Sequence, residues 1–219
     1  MPQPPSAVIT GGASGIGLAT AAALHRDGVE LTLVGRRAES LDAAAARFEG
    51  AATGAAVATV VADMAQPDAA VAVVDEHVAR YGGIYALVAC AGEYELADVR
   101  ELTAEAWTSS LDVHVRAAVL SAGSAARHMS AAGTGRIVLM SSVNGFHSEP
   151  GSIAYSAAKA AIISVARSLA VDLAAERSGL ESTDLTTAIA TLNAQQLTLE
   201  AAQSAFARIN RRSLIDLLS

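Results

Sequence analysis

Tyr155 and Lys159 are spaced so that both can act on one reacting group. They lie four residues apart at the start of a predicted helix over 155–177, so their side chains share one helical face. A free phenol titrates near pH ~10, too high for a general acid–base at neutral pH, and a neighbouring ammonium lowers that pKa. A shift of about three pKa units requires roughly 4 kcal/mol, more than one exposed ion pair supplies. Lys159 is the single lysine among 15 basic residues, either by chance in an arginine-rich chain or because its chemistry is needed.

Ser142 is predicted to follow the fifth strand of a parallel sheet, at the carboxyl edge where such sheets bind ligands. Its hydroxyl could hold a carbonyl oxygen for protonation by Tyr155. The alternative is a hydroxyl that only caps the end of the strand. The three side chains together indicate chemistry between a carbonyl and an alcohol.

A glycine-rich turn connects the first predicted strand to the first helix. Its spacing is G-x-x-x-G-x-G, which is not the commonest dinucleotide fingerprint, G-x-G-x-x-G. Backbone N–H groups at a helix N-terminus suit a pyrophosphate, although tight turns of this kind also occur without ligands. The candidate phosphate-binding residues are Gly11, Ser14, Gly15, Ile16 and Gly17.

Arg36 and Arg37 follow the second predicted strand, where dinucleotide folds place an acid for a ribose 2′-hydroxyl or an arginine for a 2′-phosphate. No acid is present at this point. A charge-assisted hydrogen bond of about 1.5–3 kcal/mol would favour NADP(H) over NAD(H) roughly ten- to hundredfold. The alternative is a solvated arginine pair that opens the next helix.

Short apolar runs alternate with alanine-rich stretches of helical period, which predicts five β-then-α units. The strands are apolar throughout, as expected where helices cover both faces. This pattern predicts an α/β fold with a doubly wound parallel sheet. The predicted strands are 7–10, 30–34, 56–61, 84–89 and 136–141, and the predicted helices are 16–27, 39–48, 67–81, 104–132 and 155–177.

Composition excludes several classes of protein. With 52% hydrophobic and 17% charged residues the chain is too apolar to be disordered, and its net charge of −7 disfavours nucleic acid as a partner. No apolar run reaches the ~20 residues of a membrane span, and the first residues do not resemble a signal peptide. Cys90 is the only cysteine, which excludes an intrachain disulfide or a cysteine-rich zinc site. We therefore expect a cytoplasmic protein that binds neither metal, membrane nor nucleic acid.

Taken in order and spacing, these residues resemble a classical short-chain dehydrogenase/reductase over about residues 6–177. The motifs that carry the resemblance are the turn at 10–17, Asp63, Ala89-Cys90-Ala91-Gly92, Ser142 and Tyr155-Ser156-Ala157-Ala158-Lys159. The resemblance implies a Rossmann domain over 1–177, an NAD(P) cofactor and a small carbonyl or alcohol substrate. It also implies that Tyr155 is the acid–base and that Lys159 holds the nicotinamide ribose and lowers the tyrosine pKa. Ser142 would orient substrate, and Asp63, followed by Met64, would face the adenine unless it is only a turn residue.

Three departures from the family pattern stand out. Cys90 replaces the asparagine of the Asn-Ala-Gly turn. His114 replaces an asparagine that helps to hold a water for proton relay, so it is either a substitute relay or a buried histidine without a catalytic part. After Val171-Asp172-Leu173-Ala174 the family continues with a sixth strand, a substrate lid and a seventh strand, and none of these is recognisable here.

The segment 178–219 instead predicts a helical tail with Leu192, Leu199 and Phe206 at heptad spacing. It resembles the C-terminal helix of flagellin-like hook-associated proteins, although a generic amphipathic helix fits the pattern equally. We expect this tail to cover the exposed fifth strand. We also expect homo-oligomers through the helices 104–132 and 155–177.

The function that these residues predict is NADP(H)-dependent hydride transfer between the cofactor and a carbonyl or alcohol substrate. Two alternatives remain open at this point. One is a catalytically incomplete nucleotide-binding protein, and the other is an assembly protein that acts through its tail.

Overall fold

The structure, a computed structural model, describes residues 4–181, with side chains described through residue 175. The expected contacts of the tail, its heptad pattern and the hook-protein resemblance fall outside the described residues. The chain divides into two compact units, Met1–Ala166 and Arg167–Ser219, each defined by the contacts within it. The sheet and the candidate site belong to the first unit, and a domain boundary at residue 177 stays a prediction.

Five parallel strands form one sheet in the order β3-β2-β1-β4-β5, which confirms the predicted Rossmann-type α/β fold. In the register of the central strands, Val8 pairs with both Thr32 and Leu87. The strands are β1 (Ser6–Thr10), β2 (Glu30–Gly35), β3 (Val57–Val61), β4 (Ala86–Ala89) and β5 (Arg136–Leu139).

The helices follow the strands in the predicted alternation. They are α1 (Gly15–Arg26), α2 (Ala38–Ala45) with a 3₁₀ turn at Ala46–Phe48, α3 (Ala69–Tyr81), α4 (Ala104–Leu111), α5 (Ala117–Ala132) and α6 (Ile153–Glu181). Gly82 and Gly133 end α3 and α5 in the left-handed conformation, with φ of 76° and 71°. Thr103 caps α4 by accepting a hydrogen bond from the Ala106 amide.

The predicted helix over 104–132 differs from the structure in one respect. A π-helical turn at Asp112–Arg116 separates α4 from α5. Such turns insert an extra residue and occur often at functional sites. This one carries His114.

Both faces of the sheet are covered, as the apolar strands predict. Ile9 and Leu33 belong to a core cluster shared with residues of α1 and α2. Thr32 points to the opposite face, where its hydroxyl contacts His77 of α3. Burying each large apolar side chain contributes about 1.5–3 kcal/mol before ordering entropy is subtracted.

β5 is an edge strand within the described residues, and it ends at Leu139 rather than at the predicted Ser141. Beyond this point the Ser141 hydroxyl donates to the Lys159 carbonyl of α6, 2.8 Å away. Val138 at the edge is 47% exposed, as expected for a strand that has no further neighbour among the described residues.

Over residues 4–181, each helix is too short or too polar to span a bilayer.

Candidate active site

The turn between β1 and α1 has the geometry that a phosphate needs. Ser14 caps α1 without using its side chain, so the first amides of the helix have no side-chain acceptor. Gly15 has φ of +51° and open space where a Cβ would be. At Gly17 a Cβ would lie 2.3 Å from the Gly11 carbonyl oxygen, so only glycine allows this close approach. These residues, with the exposed Ile16, fit a dinucleotide phosphate at a helix N-terminus.

The residues expected at the adenosine end lie after β2 and β3. Arg36 and Arg37 are both exposed, and Arg36 Nη1 lies 3.6 Å from the Glu93 carboxylate. Asp63 accepts hydrogen bonds from the Ala65 amide and the Gln66 side chain, at 3.0 and 3.4 Å. Met64 is buried beside it. Asp63 is therefore a turn residue in this structure, and its expected contact with adenine stays a prediction.

The turn after β4 is held to β1 by its backbone. The Ala91 amide donates to the Thr10 hydroxyl at 3.1 Å, and the Cys90 amide donates to the Thr10 carbonyl at 3.2 Å. Burial raises the pKa of the Cys90 thiol, and the charge of Lys159 partly opposes this rise. The thiol therefore stays neutral and contributes no charge at the position where the family has an amide.

Lys159 is buried beneath Tyr155. The lysine is 5% exposed, and its Nζ lies 5.5 Å from the centroid of the Tyr155 ring. Nζ donates a hydrogen bond to the Met140 carbonyl at 2.8 Å, which orients the ammonium from the end of β5. Burial is the main cause that lowers the pKa of Lys159. The structure thus brings together the pair that the sequence predicted.

Ser142 lies where the chain leaves β5, as predicted. Its Oγ accepts a hydrogen bond from the Asn144 amide at 3.2 Å. Since that bond uses an oxygen lone pair, the hydroxyl hydrogen can still be donated to a substrate oxygen.

His114 is buried and packs edge-on against Tyr155, with 5.3 Å between ring centroids. Its Nε2 lies 2.8 Å from the Glu93 carbonyl oxygen and 3.4 Å from the Glu93 amide nitrogen. The shorter contact, to an acceptor, assigns the hydrogen to Nε2 and a lone pair to Nδ1. Among the buried side-chain nitrogen and oxygen atoms of the described residues, Nδ1 is the one without a hydrogen-bond partner. The ring fills the space where Gly92 lacks a Cβ, since such an atom would lie 2.3 Å from His114 Cε1. Burial and the charge of Lys159 lower the pKa of His114, which favours the neutral ring.

A second ring, which the sequence did not single out, also packs against Tyr155. The Tyr94 ring is edge-on to Tyr155 at a centroid distance of 4.8 Å. The Tyr94 hydroxyl donates to the Glu149 carboxylate, which also accepts from Asn144 Nδ2 at 2.9 Å. The sequence contained one sign that these residues belong to the site: they follow β4 and β5, at the carboxyl edge of the sheet. Exposed tyrosines and glutamates are too common for their position alone to identify them.

The side chains together can exchange a proton with a small substrate. Ser142 offers a donor, Tyr155 a proton, and Lys159 a fixed positive charge beneath the ring. The described residues contain no cluster of histidine, cysteine and carboxylate groups that could hold a metal ion.

A family model described as short chain dehydrogenase matches residues 5–190. The chain belongs to the short chain dehydrogenase family. Members of this family are oxidoreductases that use a nicotinamide cofactor. The glycine-rich turn and the Tyr155–Lys159 pair thus occur in a chain of the family that the sequence resemblance indicated.

Other short chain dehydrogenases are similar over most of the chain. Cis-4-hydroxycyclohexanecarboxylate dehydrogenase of Sinomonas cyclohexanicum is 39% identical over 170 residues, which cover 77% of this chain and 67% of that protein. Gluconate 5-dehydrogenase of Gluconobacter oxydans is 36% identical over 166 residues, covering 76% of this chain and 64% of that protein. The structure of an NAD⁺-bound xylitol dehydrogenase superposes with a TM-score of 0.73 and 30% identity, covering 78% of this chain and 65% of that one. The matched part thus spans about two thirds of these relatives.

Proposed function

We propose that this short chain dehydrogenase interconverts an alcohol and a carbonyl compound with NADP(H), and that Tyr155 is its general acid–base. The observation that carries the proposal is the buried ammonium of Lys159 beneath the Tyr155 ring. Within the described residues this ammonium has no carboxylate partner, and a phenolate at Tyr155 would supply the missing negative charge.

The burial of Lys159 matters for this proposal because an exposed ion pair contributes little. Water screens a buried ammonium less than an exposed one, so Lys159 attracts a neighbouring negative charge more strongly. The ammonium is therefore placed to stabilise a phenolate when Tyr155 gives up its proton.

The chain's own residues then act in a simple order during carbonyl reduction. Ser142 donates a hydrogen bond to the carbonyl oxygen and polarises it. Tyr155 donates its proton to that oxygen, and Lys159 stabilises the resulting phenolate. NADP(H), held by the turn at 10–17 with Arg36 and Arg37 at its 2′-phosphate, would supply the hydride. Alcohol oxidation reverses these steps.

His114 has a positioning role in this proposal. As a neutral ring bonded to the Glu93 carbonyl, it fixes one side of Tyr155. Its free Nδ1 lone pair can accept a hydrogen from a water, which keeps the alternative of a proton relay open.

Substitution Tyr155→Phe tests the proposal. Carbonyl reduction should fall by at least about a hundredfold, the usual contribution of a general acid, while the dissociation constant for NADPH stays within about threefold. Activity is followed by NADPH absorbance with a panel of ketones and aldehydes, and binding by NADPH fluorescence. The matched control is Tyr85→Phe, which removes a phenol at the opposite end of β4 and should keep activity. Activity within about tenfold of the wild type would rule out Tyr155 as the acid. NADPH binding without turnover of any carbonyl compound would favour a nucleotide-binding protein instead.

A further inference from the structure

A carboxylate is held beside the proposed reaction centre by two side chains that have no part in proton transfer. Glu149 lies in the loop between β5 and α6, and its Oε1 accepts from both the Tyr94 hydroxyl and Asn144 Nδ2. The Glu149 amide in turn donates to the Ser152 hydroxyl at 3.1 Å. The loop is thus bonded at both its backbone and its side chain, which gives this exposed carboxylate a defined position.

This carboxylate is two contacts away from each of the two groups that would hold the substrate oxygen. Through Tyr94 it connects to Tyr155, since the two rings are 4.8 Å apart. Through Asn144 it connects to Ser142, whose Oγ is 3.2 Å from the backbone amide nitrogen of Asn144. These contacts keep Glu149 near both groups, so a substrate whose oxygen lies between Ser142 and Tyr155 can reach Glu149 with another part of its carbon skeleton.

The charge of Glu149 is not neutralised by a cation. Hydrogen bonds from Tyr94 and Asn144 lower the pKa of Glu149, so the carboxylate is ionised at neutral pH. Among the described residues no ion pair forms at Glu149, and Lys159 is occupied with the Met140 carbonyl behind the Tyr155 ring. Two further acids, Glu93 and Glu95, lie on the loop that carries Tyr94. His147, an exposed residue, is the one basic side chain in the loop that carries Glu149.

We propose that Glu149 makes this site selective for uncharged, hydroxyl-bearing alcohols over alcohols that carry a carboxylate. A carboxylate accepts hydrogen bonds from neighbouring substrate hydroxyls and repels a substrate carboxylate. The inference rests on the proposed function, because it assigns a substrate class to the same site. It sets this chain apart from two of its relatives, whose names specify acid substrates.

Matched pairs of alcohols with one skeleton and different charge test the proposal. One pair is cis-4-hydroxycyclohexanecarboxylate and its carboxamide, and the other is gluconate and glucitol. At a single, mildly alkaline pH, kcat/KM is measured for each alcohol with saturating NADP⁺. The neutral member of each pair should be preferred, and Glu149→Gln should reduce this preference about fivefold, as expected for one solvent-screened charge. Added salt should narrow the preference of the wild type but leave that of Glu149→Gln unchanged, because salt screens only the charged site.

Two further variants separate the charge of Glu149 from its geometry. Tyr94→Phe removes the hydrogen bond but keeps the carboxylate and the ring, so the preference should stay within about twofold of the wild type. Glu49→Gln makes the same chemical change between α2 and β3, at the amino end of the strands, and should alter neither preference nor salt dependence.

The outcomes are distinct. If any of these alcohols is oxidised and Glu149→Gln leaves the neutral-to-anionic ratio unchanged, the charge selection is wrong and the proposed function stands. If the wild type oxidises none of these alcohols but reduces members of the ketone and aldehyde panel, the substrate class is wrong and the proposed function stands. If it acts on neither set, the proposed function is overturned and the charge selection with it.

Discussion

Arg36 joins two loops across the position where a dinucleotide is expected. It follows β2, and its partner Glu93 follows β4. Because β1 lies between β2 and β4 in the sheet, this ion pair passes over the carboxyl end of β1, where the glycine-rich turn begins. A 2′-phosphate bound by Arg36 must therefore compete with the Glu93 carboxylate. The same glutamate accepts from Ser109 at 3.2 Å and, through its backbone carbonyl, from His114.

The first prediction at this scale concerns cofactor preference. We expect the wild-type protein to bind NADPH about tenfold or more tightly than NADH, and Arg36→Asp to remove that preference. Glu93→Gln should strengthen NADPH binding up to about fivefold, because it frees Arg36 from a partly exposed ion pair. Fluorescence titration with both cofactors measures these affinities. Arg47→Asp, with the same charge change on the 3₁₀ turn after α2, should have little effect on the ratio. Equal affinities for the two cofactors in the wild type would contradict the prediction.

At the scale of the elements, the sequence predicted most of what periodicity and glycine placement determine. All five strands and their alternation with helices are confirmed, since β-branched runs and helical spacing are local signals. The π-helical turn that carries His114 was not predicted, because an inserted residue leaves no pattern distinct from a continuing helix. The contact of Lys159 with the Met140 carbonyl could not be predicted either, because it involves a backbone atom whose position depends on the sheet. For the same reason the role of Tyr94 and Glu149 needed the fold.

A buried histidine that connects three elements gives the second prediction. His77 of α3 lies between Thr32 of β2 and Ser6 of β1, at 2.8 and 3.0 Å, and is completely buried. The Ser6 hydroxyl donates to the Gly83 carbonyl, so His77 Nε2–H donates to Ser6 and Nδ1 accepts from Thr32. Burial, with a smaller effect of Arg80, lowers the pKa of His77 to about 4.

Stability should therefore fall on acidification. Between pH ~6.5 and about 4 the unfolded chain binds a proton at His77 that the folded chain does not bind. The free energy of unfolding should decrease through this window by up to about 3 kcal/mol, and His77 should add no pH dependence above it. Urea unfolding at several pH values measures this slope. His77→Gln should flatten it even if overall stability drops, whereas His147→Gln, at an exposed histidine, should retain it. An unchanged slope in His77→Gln would show that other groups cause the acid sensitivity.

At the scale of the whole molecule, two apolar surfaces compete as contacts between copies of the chain. One is β5, the edge strand among the described residues, where Val138 is 47% exposed and the outer backbone groups face no further strand of that part. The other lies along α4 and α5, where Trp107 and Leu120 are each 37% exposed. Gly123, three residues after Leu120 on the same face, has open space where a Cβ would be, so a second helix could approach closely there. Charged residues often protect edge strands, and the exposed Arg136 at the start of β5 has this character.

These features favour α4 and α5, which lie in one of the two segments, 104–132 and 155–177, that the sequence predicts as contacts; that prediction stays untested. We expect the protein to form oligomers through α4 and α5, and Leu120→Arg to shift it to monomers by at least about tenfold in dissociation constant, because a buried charge without a partner is costly. Val138→Arg places the same side chain on the β5 edge and should leave the oligomer intact. Light scattering after size-exclusion chromatography over a range of concentrations measures both, and circular dichroism confirms that each variant is folded. If Val138→Arg dissociates the oligomer and Leu120→Arg does not, the copies meet through the edge of the sheet, and the site would then lie close to an interface made by the strand that precedes Ser142.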